Sequence, residues 1–148
     1  MPSLFDPTRE REVLERLQQL TPEHRRRWGR MTVGEMLSHL IDYFDVALGR
    51  KKGRRMLPRL MQVGVRPILV HWPFRYPRNV RTLPELLQRP SETFEIDRRQ
   101  LVALIQEFAG RREHGHWPEN PVAGRCTGPQ WAKLAYGHVN HHLIQFGV

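Results

Sequence analysis

The chain has 148 residues, 24 lysines and arginines against 15 acids, a formal charge of +9 and a single cysteine. That length accommodates one domain whose core needs no disulfide staples, and the lone Cys126 excludes an intrachain disulfide. With no uninterrupted apolar run of about 18 residues and no signal-peptide order at the N-terminus, the sequence predicts a soluble protein of the reducing cytoplasm.

The first element opens on Asp6-Pro7, a capping side chain followed by a proline suited to the first helical position. Val13, Leu14, Leu17 and Leu20 recur at helical spacing and predict helix one over about residues 7–20. A turn at residues 21–24 leads to the basic run Arg25, Arg26, Arg27. Helix two begins with the capping box Thr32-Val33-Gly34-Glu35, continues through Met36, Leu37, Leu40, Ile41, Phe44 and Leu48, and stops at Gly49. His39 lies inside this apolar stripe.

Residues 50–84 hold Pro58, Pro67, Pro73, Pro77 and Pro84, too closely spaced for one long helix. Short helical turns near residues 56–65 and an irregular stretch over 72–77 are expected instead. Ser91 or Thr93 caps helix three, which carries Phe94, Leu101, Leu104, Ile105 and Phe108 to Gly110. A loop over 111–126 follows, and Thr127-Gly128-Pro129-Gln130 is a second capping box that starts helix four, running nearly to the last residue. Four amphipathic helices with a long connection between the second and third describe an all-α chain, a four-helix bundle with a crossover.

Helix four places His138, His141, His142 and Gln145 on one stripe with Trp131, Leu134 and Ala135, which face a core. A buried polar group without a partner costs roughly 1 to 3 kcal/mol, against a net stability of about 5 to 15 kcal/mol for a whole domain. Several imidazoles on a core face therefore need something to bind. His138 and His142 lie one turn apart, about 6 Å along the axis, with rings leaning the same way, which suits two ligands of one divalent ion. His39, on the apolar stripe of helix two, is the candidate third ligand. His141 competes with His142, because i,i+3 spacing also reaches a shared ion.

The residues Trp28-Gly29-Arg30-Met31-Thr32, Glu35 to Leu40 with His39, Thr127-Gly128-Pro129-Gln130-Trp131 and the terminal run from His138 to Val148 together resemble the DinB-like metalloprotein superfamily, and within it a subgroup described as a domain of unknown function. The resemblance spans both ends of the chain; the basic middle contributes nothing to it. It implies a four-helix bundle over residues 1–148 with three histidines binding zinc, nickel or a similar divalent ion. Members of known activity include thiol-dependent transferases and a maleylpyruvate isomerase. Carried onto this sequence, the ligand positions match His39, His138 and His142, with Gln145 three residues beyond the last ligand as in the family pattern.

Three protein ligands leave open positions on the ion, where a thiol or a water becomes a nucleophile at neutral pH. A low-molecular-weight thiol is accordingly a candidate cofactor. Gln145, which can orient a bound water or a ligand ring, and Tyr43, one turn beyond His39, are the candidate catalytic side chains. Glu35 is explained by its capping role. Tyr136 and Asn140 fall off the ligand stripe and are expected to face solvent or a partner. His114 and His116 lie in a loop and are read as incidental. Cys126, just before a helix start, is either an activated thiolate or a small inert side chain.

The positive charge belongs to one region. Between Asp45 and Glu85 there is no acid, while Arg50, Lys51, Lys52, Arg54, Arg55, Arg59, Arg66, Arg75, Arg78 and Arg81 supply ten cations. This segment can form the mouth for an anionic small-molecule substrate, a membrane-surface element or a plain solvated face. Trp72, Phe74 and Tyr76 would allow stacking on bases, yet no nucleic-acid motif accompanies them, so a nucleic-acid partner is disfavoured. Apolar bundle faces make a homodimer a reasonable expectation. The competing functions are a metal-dependent thiol transferase or hydrolase, a metal-stabilised binding module without turnover, and a nucleic-acid-associated protein.

Overall fold

The computed structural model describes residues 2–71, 76–79, 84–87 and 90–148. Among these there are five α-helices, a 3-10 turn at Pro84–Leu87 and no strand; the helices are α1 (Pro7–Gln19), α2 (Val33–Ala47), α3 (Arg59–His71), α4 (Phe94–Gly110) and α5 (Gly128–Phe146). No helix of the described residues is long and apolar enough to cross a membrane.

The helix starts follow from their capping chemistry. Asp6 accepts from the Thr8 amide ahead of Pro7. At α2 the Thr32 hydroxyl accepts from the Glu35 amide while the Glu35 carboxylate accepts from the Thr32 amide at 2.7 Å. The same reciprocal box joins Thr127 and Gln130 at α5. Of the two residues proposed to cap α4, Thr93 does so, and Ser91 instead donates to Asp97 Oδ2 at 2.7 Å. Each box satisfies two amides that the helix leaves unpaired, which fixes the rotational phase of the residues that follow.

α2 is the central element. It packs against α4, α5 and the 3-10 turn, and Met36, Leu37, Leu40, Ile41 and Phe44 are fully buried along it. α1 lies on α4 and α5 through Val13 and Leu17, and α5 brings Trp131, Ala135, Val139 and Leu143 to the same core. Trp131 is completely buried, with its indole N–H donating to the Pro118 carbonyl at 2.9 Å.

Two expectations are corrected. The proline-rich connection was expected to hold only short helical turns, but α3 is a 13-residue helix with Pro67 inside it. An interior proline removes one N–H and crowds the carbonyl four residues earlier. Here Gln62 and Arg66 donate to the carbonyls of Pro121 and Ala123, and Val70 packs with Ala123 and Leu134, so the helix is pinned on both sides of the proline. Of the irregular stretch expected beyond it, residues 72–75 lie outside the described residues, as does Arg81. The second correction is Tyr136, which is buried rather than facing solvent, because α5 is packed by α1 as well as by α2 and α3. Asn140, also read as outward, is half-buried and accepts from Arg16 of α1 at 2.7 Å.

Candidate metal centre

Two buried helices face each other with histidines. The α2 capping box sets the phase that turns His39 inward one turn after Glu35, and α5 presents His138 and His142 one turn apart. Their Nε2 atoms converge: His39 to His138 is 2.9 Å and His138 to His142 is 3.1 Å. One ligand atom from each of the three lies within 4.8 Å of the others. Two nitrogens bound to one ion at about 2.0 to 2.1 Å stand roughly 2.9 to 3.4 Å apart, so the spacing fits a shared divalent cation.

The outer nitrogens decide the protonation pattern. His39 Nδ1 lies 3.1 Å from the Leu86 carbonyl. A carbonyl only accepts, so Nδ1 carries the proton and Nε2 is left with a bare lone pair. His142 Nδ1 lies 2.8 Å from Gln145 Oε1, while Gln145 Nε2 donates to the Trp28 carbonyl at 2.8 Å, which fixes the amide with its oxygen toward the ring. His142 therefore also points an unprotonated Nε2 at the centre. His138 has one ring proton at most for two facing lone pairs in its neutral form. The donor set is electron-rich at its middle and suits a cation.

Burial keeps these rings neutral. Desolvation first, then the backbone contact at Leu86 working against it, leaves His39 below the ordinary histidine range. Burial and the facing His39 and His142 hold His138 well below that range, and burial followed by His39 takes His142 down to about 3. A metal competes with protons for a histidine nitrogen; in this pocket the proton is the weaker competitor. His39 and His142 are buried, while His138 keeps a partly exposed edge.

His141 does not join the cluster. Its ring packs edge-on to His142 at 5.2 Å and to Trp28 at 5.7 Å, and Arg78 lies over the Trp28 indole at 4.2 Å. Tyr43 sits against His138 with ring centroids 4.4 Å apart and is buried rather than at an edge. Burial raises its phenol well above the ordinary value. His114 and His116 are exposed in the loop.

Sequence reasoning missed three contributors. The carbonyls of Leu86 and Trp28 are main-chain atoms, distant in sequence from the side chains they hold, and no residue type announces them. Asp42 is a buried carboxylate one turn beyond His39, paired with Lys51 at 3.0 Å. An acid inside the run Leu40-Ile41-Asp42-Tyr43-Phe44 was the available signal.

Cys126 is settled on the inert side. Burial pushes its thiol up to about 11, with Arg66 only partly opposing. A folded value raised above the unfolded one, near 8.5, contributes stability that is complete below 8.5 and is lost as pH rises through about 11. Alkylation of the native protein by iodoacetamide is therefore expected to be negligible at pH 8 and to climb toward pH 11, whereas denatured protein reacts readily at pH 8. Rapid native labelling at pH 7 would show an activated thiolate instead.

An all-helical chain with three convergent imidazoles between two core helices defines a helical protein whose histidines can hold a metal. A family model of the DinB superfamily matches residues 5–146, and the chain belongs to that superfamily. No curated protein and no solved structure matches it.

Proposed function

We propose that this chain is a metal-dependent enzyme of the DinB superfamily, one domain built as a four-helix bundle of α1, α2, α4 and α5 with the connection between α2 and α4 as its crossover. His39, His138 and His142 hold one divalent ion, zinc or nickel. Bound there, the ion supplies the Lewis acidity that makes a thiol or a water nucleophilic at neutral pH. The observation that carries the reading is the convergence of the three Nε2 atoms, with the Nδ1 positions of His39 and His142 held by acceptors.

The surrounding residues divide the remaining work. The Leu86 carbonyl and the Gln145 amide fix the ring orientation and tautomer of the two buried ligands, as outer hydrogen bonds do at metal sites. Gln145 is thus a positioning residue, since both ends of its amide are already engaged. The exposed edge of His138 is the side from which a substrate reaches the site. Tyr43, kept protonated by burial, serves there as a hydrogen-bond donor rather than a base. Arg78, over Trp28 and close to His141, favours an anionic substrate or an acidic low-molecular-weight thiol. A cytoplasmic setting would keep such a thiol reduced.

The test separates thiol from water chemistry. Protein stripped of metal and reloaded with cobalt is expected to take up one equivalent, and addition of a low-molecular-weight thiol is expected to bring in an intense near-ultraviolet sulfur-to-metal band, since thiolate is a soft ligand that an open position admits. Stoichiometric cobalt without that band would favour hydrolytic chemistry. Absence of cobalt uptake would remove the metalloenzyme reading.

A further inference from the structure

α3 is attached to the rest of the chain along one side only. Gln62 donates to the Pro121 carbonyl at 3.0 Å, Arg66 donates to the Ala123 carbonyl at 3.1 Å, and Val70 closes against Ala123 and Leu134. At 3.6 residues per turn the opposite face carries Leu60, Met61, Gly64, Pro67, Ile68 and His71. Leu60 is 86% exposed, Met61 53% and Ile68 54%, with Val63 at the margin 60% exposed. That outward face holds no lysine, arginine or carboxylate. A helix facing water normally presents charge there, and a contiguous apolar face marks a surface that something covers.

The residues leading into α3 are cationic. Lys52, Arg54, Arg55 and Arg59 are exposed, and Met56 among them extends the apolar surface. Arg50, Lys51 and Arg55 are paired with Glu107, Asp42 and Glu119. Lys52 and Arg54 have no carboxylate partner among the described residues, and no acid occurs between Asp45 and Glu85. The element is an aliphatic helix face beside unneutralised positive charge.

Three occupants can be compared on those terms. A second copy docked through the same face would form a two-fold interface that brings two cationic flanks together. The few aliphatic side chains of the face also fall short of the roughly 800 Å² per partner of a standard interface. Nucleic acid would engage the cations and stack on aromatic rings, but it gains nothing from Leu60, Met61 and Ile68, and the outward face has no aromatic ring apart from the His71 imidazole. An anionic bilayer takes both features at once: aliphatic side chains enter the headgroup–acyl boundary and the cations meet lipid phosphates. We propose that α3 and its basic N-terminal flank form a peripheral docking element that lies flat on anionic membrane surfaces.

The experiment is vesicle flotation of the intact protein with phosphatidylcholine alone and with phosphatidylcholine containing phosphatidylglycerol, at low and high salt. Partitioning onto the anionic vesicles is expected to exceed that onto neutral ones by about tenfold or more and to fall with salt. The double variant Leu60→Glu, Ile68→Glu alters exposed positions only, so its helical circular dichroism should match wild type while vesicle binding drops by about tenfold or more. Lys52→Glu with Arg54→Glu should abolish the preference for anionic lipid. The proposal is overturned by failure to float with either vesicle. It is equally overturned if Leu60→Glu, Ile68→Glu binds vesicles as wild type does while both bind polynucleotide as tightly, which would leave only a cation surface. A concentration-dependent dimer that this variant splits, without vesicle binding, would assign the face to a second copy.

Discussion

Replacing His138 and His142 together by alanine is expected to take the metal content of purified protein from near one equivalent to under about a tenth, read by elemental mass spectrometry on untagged protein. Loss of outer hydrogen bonds alone weakens metal sites by about 10- to 100-fold. Removal of two of three ligands must exceed that, so a loss of about a thousandfold or more in affinity is expected. A thermal readout checks the same point independently. A ligand present at about 100 times its Kd stabilises the folded state by about 2.7 kcal/mol, which for a chain of this size raises Tm by about 5 to 10 °C. Wild type should show that rise on addition of zinc or nickel, and the double variant should not. Equal and negligible metal in both proteins after incubation with either ion would sink the site. His141→Ala serves as the control: its ring packs against His142 without joining the convergent nitrogens, so full metal content should remain.

The histidine pair was legible because the helical period fixes where residues four apart point, and the Thr127 capping box fixes where α5 starts. His39 was legible for the same reason on α2, as a polar residue inside a run of Met36, Leu37, Leu40 and Ile41. Tyr136 was misread because one stripe was taken as the whole buried surface of α5. A helix packed by α1, α2 and α3 keeps little solvent face, and Tyr136 is buried close to Glu12, Arg9 and Arg16 of α1. α3 was underestimated since prolines argue against helix locally, while the carbonyls that pin it, Pro121 and Ala123, lie almost 60 residues away. The groups that orient the ligand rings are the least accessible to sequence. Leu86 acts on His39 through its carbonyl across 47 residues and Trp28 acts on Gln145 across 117, and a main-chain oxygen is the same in every residue.

That last pair gives Gln145 a testable split role. Its amide oxygen accepts from His142 Nδ1, its nitrogen donates to the Trp28 carbonyl, and the Arg27 amide donates to the Gln145 carbonyl at 2.7 Å. One buried side chain thereby couples the orientation of a ligand ring to the loop that precedes α2. Gln145→Leu removes both side-chain bonds: metal affinity is expected to fall about 10- to 100-fold, and the loop around Trp28 should become more susceptible to proteolysis. Gln145→Glu keeps the acceptor for His142 and loses the donor, setting a carboxylate against the Trp28 carbonyl. It should retain metal affinity near wild type while the loop still loosens. Gly29→Ala approaches the coupling from the other side, since its φ of +83° disfavours a side chain and an added Cβ would stand 2.6 Å from Gln145 Nε2. Displacing that amide should lower metal affinity in the same direction as Gln145→Leu, with no histidine altered. Competition titration against a chelator of known affinity measures all three variants. If Gln145→Leu binds metal as tightly as wild type, the ring of His142 is held by packing against its neighbours and the outer hydrogen bond contributes nothing to the site.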